Sequence, residues 1–171
     1  MKAGENMRHK LTQHDIDKMK EEIEHRKVVV RKELLEHVKE ARAHGDLSEN
    51  FEYHAAKKEK NRNESRIRYL ERMIRTSEVV DDHAAADQVG VNKTVTLYFE
   101  EDDEEDVFSF VTTVLVDSMK NRVSIESPLG KALMGHHIGD RVYIEVNPQY
   151  GYYVEIRDIK PFEDDVPLNK Y

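Results

Sequence analysis

The sequence predicts an α+β protein: a long antiparallel α-helical coiled-coil hairpin, followed by a small antiparallel β-sheet domain with one short helix. Three observations support this fold class. Apolar residues in the first 80 positions follow helical spacing, and short β-rich runs begin near residue 92. Between them, a stretch rich in aspartate and small residues is typical of a linker. The predicted domains are therefore a hairpin over 1–80, a linker over 81–91 and a sheet domain over 92–171.

Composition and charge restrict the class of protein. The 171 residues are 38% hydrophobic and 36% charged, which favours an elongated shape or two modest cores. Residues 1–80 carry 19 Lys and Arg against 16 Asp and Glu, whereas residues 81–171 carry 8 against 19. The acidic second half argues against general binding to duplex DNA. The absence of cysteine excludes disulfides and thiolate zinc sites, and no signal peptide or membrane-spanning run is visible. We expect a soluble, cytoplasmic protein.

The first arm of the hairpin is predicted to run from Asp15 to His44, which is about 45 Å of helix. Thr12 is the predicted N-cap. An apolar seam follows three-and-four spacing, with one phase slip near Arg26. The seam residues are Ile16, Met19, Ile23, Val30, Leu34, Val38 and Ala41.

The second arm has a stricter heptad seam. Its positions alternate by four and three: Ala56, Lys60, Asn63, Ile67, Leu70 and Ile74. Folding about residues 47–48 places 67–74 opposite 21–30, so apolar contacts hold the base of the hairpin. Lys60 and Asn63 lie on the seam toward the bend, where polar groups lower stability but fix register. On periodicity alone, a rigid spacer or a dimerisation hairpin is the simplest interpretation.

The sequence of the second domain predicts short strands separated by turns. The β-rich runs are "KTVTLYF", "VFSFVTTVLV", "RVSIE", "RVYIEV" and "YYVEIRDI". The run "SPLGKALMG" predicts a short helix with Pro128 near its start and Gly135 at its end. The acidic run 100–106 lacks the ligand spacing of a calcium loop, so we interpret it as a solvated loop between strands. Adjacent His136 and His137 are interpreted as surface residues rather than metal ligands.

The bend, "HGDLSEN" at residues 44–50, allows two interpretations. Gly45 fits the left-handed position that ends a helix, and Asp46 fits an N-cap with Glu49 as its reciprocal partner. Ser48 is an alternative cap. The same two carboxylates also suit one cation, but magnesium prefers six oxygens, so they form only part of a site. Such a partial site is useful where a partner supplies the remaining ligands, as in two-metal phosphoryl chemistry.

The second arm is strongly basic beyond the bend. Residues 57–75 carry eight basic and three acidic side chains. Such a run usually forms a basic helix face that is exposed to solvent. It also suits approach to a negatively charged backbone such as single-stranded RNA.

Two motifs carry a family resemblance. The stretch "EARAHGDLSENFEYHAAKKE" closely resembles the signature of the bacterial GreA/GreB transcript cleavage factors. The stretch "SPLGKALMGHHIGDRVYIEV" resembles their second signature, in the C-terminal domain. With the heptads of the second arm, the resemblance covers roughly residues 10–160. The first motif is long and specific, and the second is moderately so.

The resemblance implies a mechanism. The hairpin would enter the secondary channel of bacterial RNA polymerase, and the second domain would be FKBP-like and dock outside the channel. Asp46 and Glu49 would hold a second Mg²⁺ jointly with the polymerase, with Ser48 and Asn50 in supporting catalytic positions. The 3′ end of backtracked nascent RNA would then be hydrolysed, with the polymerase as the enzyme and this chain as a monomeric accessory factor. An FKBP-like fold does not by itself bring isomerase activity.

The resemblance also implies two contact surfaces. A basic patch facing RNA corresponds loosely to Lys57, Lys58, Lys60 and Arg62. A patch facing polymerase corresponds to Leu129, Gly130, Lys131, Leu133, Met134 and Gly135. Core packing is the alternative interpretation for Leu133.

Some residues depart from the family pattern. Phe51 stands where the family commonly has a small alanine, and a bulky group there is expected to alter the fit in the channel or the cleavage of RNA.

One alternative function is a channel-binding regulator of the same architecture that modulates or inhibits polymerase without cleavage. Another, of a different class, is a coiled-coil adaptor unrelated to polymerase. An autonomous hydrolase is disfavoured, because no nucleophile–base pair or phosphate-binding glycine loop is evident.

Overall fold

The structure is a computed structural model that describes residues 8–45, 50–162 and 165–170. The chain divides into two compact units, Ile16–Ser77 and Met1–Asp15 with Glu78–Tyr171. The units differ from the predicted domains because a two-residue strand β1 (Lys10–Leu11) pairs in parallel with β2 (Glu78–Val79). None of the helices in the described ranges combines the length and apolar character needed to cross a lipid bilayer.

The first arm consists of α1 (Gln13–His25), a π-helical segment (Arg26–Val30) and α2 (Arg31–Arg42). The predicted cap is confirmed. The Thr12 hydroxyl accepts a hydrogen bond from the Asp15 amide at 3.1 Å, and the Asp15 carboxylate accepts one from the Thr12 amide at 3.0 Å. This reciprocal pair satisfies two of the free amides at the start of the arm.

The π-helical segment lies at the phase slip predicted near Arg26. A π turn holds more residues than an α turn, so it rotates the following residues about the helix axis. The predicted seam residues of this arm are all buried or half-buried, whereas Val28 and Val29 are 58% and 40% exposed. The slip in the sequence is therefore a real change of helical geometry.

The second arm is one continuous helix, α3 (Phe51–Thr76). Its buried residues are Asn63, Ile67, Leu70 and Met73. Ion pairs join the arms in antiparallel order, with Arg31 on Glu64 at 2.8 Å, Arg66 on Glu22 at 2.9 Å and Lys27 on Glu71 at 2.6 Å. The predicted antiparallel hairpin is confirmed.

The second unit is built on a five-stranded sheet in the order β5-β4-β3-β7-β6. The strands are β3 (Lys93–Phe99), β4 (Glu104–Val111), β5 (Arg122–Ser124), β6 (Arg141–Asn147) and β7 (Tyr150–Pro161). The neighbours are antiparallel except β4 and β5, which run parallel. The predicted fold class is confirmed, with the correction that the sheet is mixed. The chain can pair β5 in parallel because 3₁₀ turns at Thr113–Leu115 and Ser118–Lys120 separate it from β4.

The core of this unit extends beyond the predicted sheet domain. Val89 and Val91, within the predicted linker, lie in the same buried cluster as Val95, Phe110 and Ile156. The Val89 amide donates to the His136 carbonyl at 2.8 Å, so this stretch is tied to the domain by backbone bonds. The acidic run also differs from the predicted loop, since only 100–103 form a turn. Residues 104–106 belong to β4 and pair with 97–99.

Candidate functional site

Asn50 ties the two arms together beside the bend. As the N-cap of α3, its side-chain oxygen accepts from the Tyr53 amide at 3.0 Å. Its side-chain nitrogen donates to the Ala41 carbonyl, near the end of α2, at 2.7 Å. One amide thus satisfies a free donor of α3 and a carbonyl of α2, which fixes the spacing between the two helix ends.

The cap therefore differs from the prediction. Asp46 and Ser48 were both predicted as caps of the second helix, yet that helix starts at Phe51 and its cap is Asn50. Aspartate, serine and asparagine all accept backbone amides well, so the local sequence alone offered three suitable caps. Gly45, predicted to be left-handed, has a positive φ of 114°.

Three of the predicted catalytic residues, Asp46, Ser48 and Glu49, lie outside the described residues. They belong to the four positions between Gly45 and Asn50. In the sequence they therefore fall between α2, which ends at Arg42, and α3, which begins at Phe51. Asn50 is the one predicted catalytic residue with a described geometry, and its role there is structural.

Basic residues surround Tyr53 in the first turn of α3. The guanidinium of Arg42, from the end of α2, lies 5.6 Å from the ring centre of Tyr53. A hydrogen bond from Arg42 lowers the pKa of the Tyr53 hydroxyl, and the charges of Lys57 and Lys60 act in the same direction. These three basic residues therefore favour the deprotonated form of the Tyr53 hydroxyl.

The predicted basic residues do not form one stripe. Lys58 and Arg62 are four residues apart on α3, and Lys57 and Lys60 are three apart, so they cover two adjacent faces. Lys57 and Lys58 are exposed and make no ion pair with any described residue, whereas Lys60 is half-buried. Arg62 lies 3.5 Å from Glu59, and this exposed pair leaves the guanidinium accessible.

Phe51 is the most exposed large apolar residue of the described hairpin. Its side chain is 86% exposed, one position after the Asn50 cap. Because so little of the ring is buried within the hairpin, nearly all of its apolar surface is available to a binding partner.

The residues of the predicted polymerase-facing patch differ in their burial. Helix α4 (Pro128–Leu133) starts at Ser127, whose hydroxyl accepts from the Gly130 amide at 3.0 Å. Leu133 is fully buried in the core, which confirms the alternative interpretation of that residue.

Gly130 is also inaccessible to a partner. It is buried, and a Cβ there would lie 2.4 Å from the Ser124 carbonyl oxygen, so the position requires glycine for close packing. Lys131 and Gly135 are exposed, while Leu129 and Met134 are half-buried against the core. These four residues remain available at this surface.

Two side-chain clusters were not anticipated from the sequence. Asp81, Asp82 and His83 bring two carboxylates and an imidazole together, all exposed. Asp81 accepts from the His83 amide at 2.9 Å and lies 2.5 Å from the His83 ring nitrogen, so a local turn accounts for the cluster. A hydrogen bond with Asp81 raises the pKa of His83.

The second cluster is aromatic and contains Phe99, Tyr150, Tyr152 and Tyr153. It lies at one end of the sheet, where the end of β3 meets the start of β7.

His136 and His137 do not converge on a metal site. The His136 ring nitrogen lies 3.2 Å from the Asp140 carboxylate, and the His137 amide donates to the same carboxylate at 2.8 Å. Both contacts stabilise the turn that precedes β6. His137 is exposed and His136 is half-buried.

The family models and the relatives found by comparison with known sequences are all transcription elongation factors. The profile "Transcription elongation factor, N-terminal" matches residues 9–79, and "Transcription elongation factor, GreA/GreB, C-term" matches residues 84–161. Transcription elongation factor GreA of Thermoanaerobacter pseudethanolicus is 44% identical over 80% of this chain and 87% of that protein. GreA of Streptococcus pneumoniae is 42% identical over 88% of this chain and 94% of that protein.

A solved structure is also similar, though more distantly. GreA factor homolog 1 of Thermus thermophilus is 24% identical, with a TM-score of 0.40, over 88% of this chain and 97% of that chain.

Proposed function

The chain belongs to the GreA/GreB family of transcription elongation factors, and we propose that it acts by stimulating cleavage of backtracked RNA by RNA polymerase. In this proposal the hairpin enters the secondary channel of the polymerase. The observation that carries it is the fixed end of the hairpin, where the Asn50 side chain joins the start of α3 to the Ala41 carbonyl and ion pairs hold the two arms together. In the sequence, Asp46 and Glu49 fall among the four positions between Gly45 and Asn50.

The donor set fits magnesium as a partial site. Asp46 and Glu49 would hold the ion, because carboxylate oxygens are the hard ligands that Mg²⁺ prefers. Two carboxylates do not complete an octahedral shell, so the polymerase and water supply the rest. Held there, magnesium would supply Lewis-acid chemistry, which activates water and stabilises negative charge on a phosphate. Asn50 positions this pair indirectly, by holding the two helix ends.

The basic residues of α3 support an approach to RNA. Lys57, Lys58 and Arg62 are exposed on α3, so their charges are accessible to a phosphate backbone. Such residues contribute to binding through phosphate contacts without reading base sequence. In the second unit, Lys131, Gly135, Leu129 and Met134 are the proposed polymerase-facing residues, without the buried Gly130 and Leu133.

On this proposal the chain is an accessory factor rather than an enzyme. The partial metal site requires a partner, and the polymerase supplies the primary catalytic site. Incubation of the isolated protein with labelled RNA and magnesium tests this point. We expect no cleavage beyond that of a buffer control, whereas magnesium-dependent nuclease activity would contradict the accessory role.

A stalled, backtracked elongation complex with 3′-labelled RNA tests the function directly. Wild type is compared at matched occupancy with Asp46→Asn/Glu49→Gln, and with Glu52→Gln, which removes an exposed carboxylate from the first turn of α3. We expect magnesium-dependent release of short 3′ fragments with wild type and Glu52→Gln only. If all three bind and none accelerates cleavage, the protein is a channel-binding modulator. If none binds, the role in this complex is wrong.

A further inference from the structure

An aromatic cavity forms at one end of the sheet, where two turns meet. The turn after β3 runs alongside the first residues of β7, and the Glu100 amide donates to the Tyr153 carbonyl at 3.3 Å. The cavity between them has a volume of about 190 Å³. Four aromatic and two acidic residues line it: Phe99, Glu101, Asp102, Tyr150, Tyr152 and Tyr153.

The aromatic walls of this cavity support one another but stay open to solvent. The ring centres of Phe99 and Tyr152 are 5.9 Å apart, and those of Tyr150 and Tyr152 are 6.2 Å apart. Tyr150 is 49% exposed and Tyr153 is 39% exposed. Aromatic faces carry negative electrostatic potential, so an open cluster of them attracts cations.

The carboxylates give the cavity an excess of negative charge. The Tyr150 hydroxyl donates to Glu101 at 3.0 Å, which holds that carboxylate against the aromatic wall. Neither Glu101 nor Asp102 has a cationic partner among the described residues, unlike Glu100, which pairs with Arg141 at 2.6 Å. The cavity therefore combines aromatic faces with two carboxylates that lack a counter-ion within the described chain.

The same corner of the domain already shows how a guanidinium is bound. The Arg141 guanidinium lies 3.6 Å from the ring centre of Tyr153 and donates twice to Glu100, at 2.6 and 2.9 Å. One arginine thus stacks on a tyrosine ring and makes a bidentate contact with a carboxylate. Glu101, Asp102 and Tyr150 offer the same groups to a second cation.

We propose that this cavity binds the guanidinium of an arginine side chain presented by a protein partner. Arginine fits better than lysine because its planar group both stacks on a ring and donates in parallel to a carboxylate. The volume suits a single side chain, since cavities for drug-sized ligands are typically about 300–1,000 Å³. All the lining residues belong to the second unit, so the site does not depend on the bend of the hairpin.

Titration of the isotope-labelled full-length protein with N-acetyl-arginine methylamide tests the site by NMR. We expect saturable shifts of the backbone amides of residues 99–102 and 150–153, with a Kd on the order of 1–10 mM for this small probe. N-acetyl-citrulline methylamide has nearly the same shape without the charge. It is expected to bind about tenfold more weakly or not at all.

Single substitutions test separately the contribution of the Asp102 carboxylate and that of the Tyr150 ring to binding. Asp102→Asn and Tyr150→Ala should each weaken binding severalfold, whereas Tyr150→Phe should bind more nearly like wild type because it keeps the ring. Asp158→Asn, which removes a carboxylate paired with Lys160 outside the cavity, is the matched control and should have no effect. An unchanged spectrum elsewhere shows that each variant is folded.

Three results would overturn the proposal. These are equal binding of the citrulline and arginine probes, no saturable shift at these residues, and tighter binding of spermidine than of the arginine probe. The last result would identify a polyamine as the occupant instead of a protein side chain. None of these measurements involves polymerase, so a failure here is distinguishable from a failure of the proposed cleavage function.

Discussion

Asn63 of α3 exchanges hydrogen bonds with Arg26, the first residue of the π-helical segment. The Arg26 guanidinium donates to the Asn63 side-chain oxygen at 2.9 Å, and the Asn63 nitrogen donates to the Arg26 carbonyl at 3.4 Å. The same carbonyl accepts from the Arg31 amide, which closes the π turn. Asn63 is only 3% exposed, so it supplies a buried polar partner where the helical geometry changes.

Replacement of this asparagine should destabilise the hairpin. Asn63→Ala removes both bonds. The Arg26 carbonyl keeps the Arg31 amide, but the Arg26 guanidinium loses its acceptor, so we expect a cost of about 1–3 kcal/mol of unfolding free energy. Urea unfolding followed by circular dichroism measures the loss. Lys60→Ala, at the half-buried seam position one turn closer to the bend, is the control and is expected to change stability by less. Equal effects of the two substitutions would argue against a special role for the Arg26 contact.

The Asn50 bridge should matter for both stability and function. Asn50→Ala loses the cap and the bond to Ala41, and we expect a cost of about 1–2 kcal/mol. Asn50→Asp keeps a cap acceptor but cannot donate to the Ala41 carbonyl, so it isolates the bridge. On the proposed function, both variants should slow RNA cleavage more than they weaken polymerase binding. Wild-type cleavage rates with Asn50→Asp would show that the bridge does not position the acidic pair.

Phe51 should contribute to binding but not to folding. Because its side chain is 86% exposed, Phe51→Ala is expected to change the unfolding free energy by no more than about 0.5 kcal/mol. If the tip becomes buried in the polymerase, the ring contributes about 1.5–3 kcal/mol to binding, so truncation weakens affinity roughly 10- to 100-fold. Competition binding to a backtracked complex checks this. Phe51→Leu, which keeps an apolar side chain, should lose less, and unchanged affinity with alanine would place Phe51 outside the interface.

Substitutions at two residues of α4 should separate folding stability from polymerase binding. Leu133→Ala removes a fully buried core side chain and should cost about 2–5 kcal/mol of stability. Lys131→Ala alters an exposed side chain and should leave stability unchanged within about 0.5 kcal/mol. If this surface faces polymerase, Lys131→Ala weakens polymerase binding although the protein remains fully folded. Thermal unfolding and polymerase pull-down, run on the same preparations, separate the two effects.

The contact between His83 and Asp81 should make a small, local contribution that depends on pH. The hydrogen bond raises the pKa of His83 above 6.5 and lowers the pKa of Asp81 below 3.8. The histidine contribution to stability is fully present below pH 6.5 and is lost as pH rises through its raised pKa. The aspartate contribution is present above pH 3.8 and is lost as pH falls through its lowered pKa.

An NMR titration of the His83 ring protons measures this directly. We expect a midpoint above 6.5 in the wild type and a midpoint closer to 6.5 in Asp81→Asn. His54 is also exposed, has no carboxylate partner among the described residues and serves as the internal reference. Identical His83 midpoints in the two proteins would mean that the contact does not persist in solution.

The sequence by itself determined the elements whose burial repeats with a regular period. The seam of the first arm, its slip at Arg26 and the strand Lys93–Phe99 all follow from the spacing of apolar residues. Such patterns are local and repeat many times, so one exception does not obscure them.

Only the tertiary structure decided which of several suitable residues performs a given task. Asp46, Ser48 and Asn50 all have side chains that can cap a helix, and the hydrogen bond from the Tyr53 amide shows that Asn50 does so. The burial of Leu133 depends on the sheet behind it, and the aromatic cavity joins two turns about 50 residues apart. These features arise from contacts between distant parts of the chain, which leave no periodic pattern in the sequence.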